Sequence, residues 1–213
     1  MKSCAFASAV VLALLGALPG GAQEPAAPSV PAYNIELVIF RATSALGGAE
    51  NWAAESGAKS VSNDSSAGET SSAADTQVGR FIQVLPASQF QLNDIETRLR
   101  ASAGYAPIAH VAWSQTASTW GTRAGFPLQR LGIDVPELTG TVVLERGQYL
   151  HLGMTLAYAP ANPPASLGAS AGTTFTLNEG RRVRFNERSY YDHPAFGVIA
   201  LVTPVAGTRP ARR

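Results

Sequence analysis

Hydrophobic and polar positions alternate most cleanly over residues 33–41, where Tyr33, Ile35, Leu37 and Ile39 fall on one face. With its β-branched and aromatic content, this segment predicts a strand. Helical spacing takes over at Leu92, Ile95 and Leu99, with Glu96 and Arg100 four residues apart and Gly104 placed to end a helix in the left-handed conformation. A helix is therefore predicted over 89–103. A second strand follows over 105–115. Residues 139–145 and 148–158 read as the arms of a hairpin about Arg146-Gly147. On its second arm Leu150, Leu152, Met154 and Leu156 face one way and Tyr149, His151, Gly153 and Thr155 the other, the signature of a sheet with one core face and one open face. Further strands are predicted over 173–177, 182–188 and 196–204. One main helix and about six strands predict an α+β fold, a mostly antiparallel sheet with the helix packed on one face.

Elsewhere the pattern lapses. Lys2, the apolar run 5–18 and the small residues Pro19-Gly20-Gly21-Ala22 read as a signal peptide over 1–22. Its removal takes with it Cys4, the one cysteine, so disulfides and cysteine-based catalysis or metal sites are excluded from the mature chain. Residues 23–32 form a Pro/Ala spacer. Residues 44–77, rich in Ser, Ala, Gly and acids, bury too little apolar surface to order themselves and read as a disordered insertion. Residues 160–172 form a small-residue loop and 206–213 a basic tail, leaving 33–205 as a single domain. No later apolar run reaches the length of a membrane span, so no transmembrane anchor is expected after cleavage, and the expected location is the periplasm.

Charge changes the picture by its placement. Lys and Arg number 16 against 15 Asp and Glu, and loss of Lys2 brings the mature chain to neutrality. General nucleic-acid binding, which depends on neutralising phosphates, is not expected. Residues 50–79 carry a net −4, whereas residues 180–213 carry a net +5 from seven arginines, Glu187 and Asp192. This basic segment also holds Tyr190, Tyr191 and His193, beside an apolar run over 198–202.

The blocks Tyr33-Asn34-Ile35-Glu36-Leu37-Val38-Ile39-Phe40-Arg41, Arg98-Leu99 with 104–115, Gly140-Thr141-Val142 with Tyr149-Leu150-His151-Leu152, and Arg181-Arg182-Val183 with Tyr190-Tyr191-Asp192-His193-Pro194-Ala195-Phe196-Gly197 follow one another in order. Together they resemble the CsiV family of periplasmic peptidoglycan-binding proteins over nearly the whole mature chain. Ser189 departs from the family pattern, in which a histidine is expected. The resemblance implies a non-enzymatic cell-wall factor that binds peptidoglycan and supports a bifunctional penicillin-binding synthase through its outer-membrane lipoprotein activator. It assigns no individual binding residues.

Those must be chosen by chemistry. Aromatic rings stack on sugar faces, guanidinium forks hold stem-peptide carboxylates and amides bond acetamides. Trp113, Gln115, Tyr149, Arg182, Arg184, Tyr190, Tyr191 and His193 are the candidate ligand contacts, with Arg181 nearby. Alternation places Arg182 and Arg184 on one face and Arg181 on the other, and sends Tyr190 and Tyr191 to opposite faces, so Trp113 and one of the tyrosines also read as core. His193-Pro194 reads as a turn or strand entry. His110, His151 and His193, even with Asp192, lack metal-ligand spacing, and neither a metal nor a cofactor is expected. Nucleophile elbow, P-loop and dinucleotide fingerprint are all missing. Glu36, on a partly apolar face, is the acid a lytic mechanism would use, although a structural carboxylate bonded to Arg41 or a backbone amide is the commoner arrangement. A protein-interaction adaptor, or a carboxylate- or metal-dependent wall hydrolase, are the alternatives to wall binding.

Overall fold

The structure, a computed structural model, describes residues 31–43, 82–163 and 167–206. The signal peptide, residues 23–30 of the spacer, the 44–77 insertion and residues 207–213 of the tail lie outside them. The described residues form an α+β fold built on two antiparallel-dominated sheets. The first has the order β2(Gln83–Val84), β3(Tyr105–Thr116), β1(Ala32–Ala42), β10(Phe196–Pro204), β9(Arg188–His193). The second has the order β4(Ser118–Thr119), β6(Leu138–Arg146), β7(Leu150–Tyr158), β8(Phe175–Val183), with β5(Gly125–Pro127) also paired to β6. Strands thus divide between two layers where one sheet of about six was expected. The short strands β2, β4 and β5 carry too few residues for a period-two signal.

The layers follow from the alternation. Tyr33, Ile35, Leu37 and Ile39 of β1, Val111 and Trp113 of β3, and Val198, Ala200 and Val202 of β10 face Val142 and Leu144 of β6 and Leu150, Leu152, Met154 and Leu156 of β7 in one buried cluster. Each such side chain contributes about 1.5–3 kcal/mol on leaving water. Leu167, in the loop before β8, is also buried there.

The opposite face of the first sheet receives the one α-helix among the described residues, α1(Asn93–Ala101). Leu92, Ile95 and Leu99 pack on Val38, Leu201 and Ile199. The helix is shorter than the 89–103 expected, for reasons visible at both ends. At its start, no side chain of Leu92 caps it. Instead the Glu36 carboxylate of β1 accepts the backbone N–H groups of Gln91 (3.0 and 2.8 Å) and Leu92 (2.8 Å), satisfying donors that open a helix. At its end Ser102 turns extended, and Gly104 is not in the left-handed region.

Glu36 also meets His110 of β3, whose Nε2 lies 2.7 Å from Glu36 Oε1 and whose Nδ1 lies 2.7 Å from Glu96 Oε2 on the helix. When protonated, the imidazole donates from both ring nitrogens, one to each carboxylate. Burial pushes His110 down, but its bonds to Glu36 and Glu96 and their charges outweigh it and hold it above the ordinary histidine value. Glu96 is held below its ordinary value, first by the His110 bond and, against burial, by Arg100 as well. Glu36 is therefore a structural carboxylate. A histidine whose folded value is raised stabilises fully below its unfolded value of about 6.5 and loses that contribution as pH rises through the folded value. His110→Gln is expected to cost about 1.5–3 kcal/mol near pH 6, the range for hydrogen bonds to charged groups. Thermal unfolding of the two proteins should show the gap between them narrowing at alkaline pH, and a gap that stays constant would contradict the imidazolium.

Candidate functional site

The ends of three strands build the site. Strand β6 turns into β7 through Gly147-Gln148-Tyr149, with Arg146 opposite Leu150 and the Gly147 N–H donating to the Tyr149 carbonyl at 3.0 Å. The expected hinge at Arg146-Gly147 sits one residue later, which turns Tyr149 outward. Strand β8 runs unbroken from Phe175 to Val183, where two separate strands were expected. Gly180 lies opposite Gly153 within the continuous strand, where a Cβ would stand at ordinary contact distance, 3.6 Å, from the Gly153 Cα. The chain turns instead at Arg184–Glu187, with Asn186 at φ 61°, a conformation asparagine tolerates. Because β7 and β8 are antiparallel with Leu150 opposite Val183, the two turns lie side by side.

Between them is a cleft of about 240 Å³ lined by Arg146, Gln148, Tyr149, Arg182, Arg184 and Phe185, with Leu150 and Val183 as its floor. The Arg182 guanidinium carbon stands 3.5 Å over the Tyr149 ring centroid, a close cation–π contact. Arg146 Nη1 donates to the Tyr33 hydroxyl, and Phe185 stacks on the Tyr33 ring at 5.6 Å and 13°. The cleft thus lies where β1 of the first sheet meets the second. Tyr149 and Phe185 remain 42% and 46% exposed, enough ring surface to receive a ligand. Arg184 reaches Glu187 at 3.5 Å. Among the described residues neither Arg146 nor Arg182 has a carboxylate partner, so the cleft keeps positive charge available. A carboxylate about 4 Å from one guanidinium gains about 1 kcal/mol in water and about 4 kcal/mol at the lower effective dielectric of a protein surface.

Of the expected contacts, Tyr149, Arg182 and Arg184 come together here. Trp113 is buried, its Nε1 donating to Oε1 of the equally buried Gln115 at 2.6 Å. Tyr191 is buried too, and its hydroxyl donates to the Leu152 carbonyl at 2.9 Å, tying the sheets together; burial pushes that phenol well up. As placed, these three side chains present no surface to a ligand. Arg181 lies over the Tyr191 ring at 4.7 Å and pairs with Glu179. Tyr190 is exposed but belongs elsewhere, stacked on Phe40 at 6.1 Å with its hydroxyl donating to Asp192 at 2.7 Å. Phe40 and Tyr33 are seven residues apart on β1, about 23 Å along the strand. His193 ends β9 between Phe175 and Phe196, accepts the Ala195 N–H at 3.1 Å, and is held below the ordinary histidine value by burial. Its place at a tight turn matches the reading of His193-Pro194.

Arg146, Gln148 and Phe185 escaped selection from sequence. The signal that would have found them is connectivity: the tips of successive antiparallel hairpins in one sheet fall at the same end. Among the described residues no group of three or more His, Cys, Asp or Glu is arranged to hold a metal, and no helix is long and apolar enough to cross a membrane.

A family profile described as "Peptidoglycan-binding protein, CsiV" matches residues 7–205. The chain belongs to the CsiV family. That membership makes it a non-enzymatic, periplasmic peptidoglycan-binding protein. No curated protein and no solved structure matches it significantly. Within this CsiV protein, Trp113 and Tyr191 serve the core. Trp113→Ala should destabilise by about 3–5 kcal/mol through the cavity left behind, and Tyr191→Phe by about 1 kcal/mol through the lost bond to Leu152. Urea unfolding measures both, and wild-type stability in the tryptophan variant would contradict the core assignment.

Proposed function

We propose that this protein grips the wall through the Arg146–Tyr149–Arg182–Arg184–Phe185 cleft, which takes a free carboxylate of a peptide stem. The carrying observation is the set of guanidiniums at an open aromatic cleft, two of them without a carboxylate partner among the described residues. Arg forks match carboxylates in geometry and charge, and the flanking rings offer flat amphipathic contact. Binding of this kind weakens as salt rises, because exposed charges are screened over about 8–10 Å at physiological ionic strength. Co-sedimentation with purified sacculi tests the assignment. Arg182→Ala combined with Arg184→Ala should weaken binding about tenfold, while the melting temperature moves by no more than about 3 °C, since exposed substitutions cost little. Undiminished binding of the double variant would place the contact elsewhere.

The family resemblance supports a further step: once on the wall, the protein assists a bifunctional penicillin-binding synthase through the synthase's outer-membrane lipoprotein activator. A reconstituted synthesis assay with synthase and activator should run faster when the purified protein is added. An unchanged rate, with sacculus binding intact, would remove this step and leave wall binding standing.

A further inference from the structure

The two outer faces of the fold differ. That of the first sheet is covered in part by α1, whereas that of the second carries no described helix; at its third row the Trp120–Arg123 segment lies over Glu145, whose carboxylate accepts the Arg123 N–H. The residues of this second face run in rows across the strands. Thr141, Thr155 and Asn178 are opposite one another, then Val143, Gly153 and Gly180, then Glu145, His151 and Arg182. Thr141, Thr155, Asn178, Gly180 and Arg182 are all exposed. Thr155 Oγ1 donates to Asn178 Oδ1 at 3.2 Å, which leaves the Asn178 amide N–H groups facing outward as donors.

Trp120 closes this face beside the third row. It is 56% exposed, with its ring 4.1 Å from that of His151 at 46°. Its backbone is fixed, because the Trp120 N–H donates to the Arg146 carbonyl at 3.2 Å and follows directly on β4, which pairs with β6. Gly147 lies beneath it, where a Cβ would come within 3.1 Å of the Trp120 Cβ. His151 Nδ1, buried beside this indole, has no hydrogen-bond partner among the described residues.

We propose that this face is a track for the glycan strand of peptidoglycan, with Trp120 as its stacking platform. The inference rests on the wall-binding reading and assigns the polymer's other half, since the adjoining arginine cleft takes the stem. The track is continuous with that cleft, because Arg182 belongs to both. Its chemistry fits a saccharide better than a protein: the large exposed side chains are Trp120 and Arg182, the edges offer hydroxyls and an amide, and among the described residues no exposed aliphatic cluster provides the apolar centre of a protein interface. The paired glycines form a shallow furrow in which a sugar ring lies close to backbone.

Glycan strands stripped of their stems by an amidase are the probe, measured by equilibrium binding alongside intact sacculi. Wild type should bind the stem-free strands, and Trp120→Ala should weaken that binding at least fivefold without a matching loss of melting temperature. Gly180→Gln is the second variant. A side chain there meets the Gly153 Cα at ordinary contact distance, so the sheet accepts it, while it fills the furrow and should weaken binding similarly. Wild type that sediments with sacculi yet ignores stem-free strands overturns the track and leaves the cleft standing. Variants that bind those strands like wild type overturn its location. Failure with both probes removes wall binding and the track together.

Discussion

β1 is covered on both faces, and that double burial sets where the other elements must go. Period-two alternation sends Ile35, Leu37 and Ile39 into the space between the sheets and Val38 toward α1. Glu36 is the polar exception on the helix side, and its carboxylate is satisfied by two backbone amides and His110. A buried carboxylate left unpaired would be costly, so the helix start and β3 are held in one position by the same side chain. The chain Glu36–His110–Glu96–Arg100 alternates in charge and runs from the interior to the exposed helix surface.

The outer face of the second sheet carries no described helix. The hairpin tips of this sheet bring Arg146, Tyr149, Arg182 and Phe185 to one rim, where Tyr33 of β1 holds Arg146 and Phe185. These contacts fasten the rim of the cleft to β1, which is buried on both faces. An immobile extended polymer suits such a surface, since a preordered site loses little conformational entropy on binding.

Most of the regular elements were legible in sequence because their periodicity is strong: β1, β3, β7 and β10 are long and patterned by burial. The division into two sheets was not, because alternation reports which face is buried and says nothing of what buries it. Strand β8 reads as two strands from sequence because residues 178–181 carry no apolar alternation, although their backbone pairing with β7 is continuous. Among candidate residues, chemistry alone grouped Trp113, Tyr190 and Tyr191 with Arg182. Alternation split the two tyrosines and left Trp113 readable as core, and the register decides which tyrosine is buried, placing Trp113 and Tyr191 between the sheets and Tyr190 at the far end of β1 beside Phe40. Phe185 was hidden because it lies in the 184–187 turn, which has no periodicity from which to read a direction, and Arg146 because the sequence pattern places it in the hairpin turn rather than at the end of β6.

The central claim is that the wall contact lies at the hairpin tips of the second sheet. Amide hydrogen exchange with and without soluble peptidoglycan fragments tests it most directly. The account predicts slowed exchange in segments 146–150 and 182–187 with α1 and β9 unchanged. Protection confined to β9 and α1, with both tips exchanging as in the free protein, would contradict it.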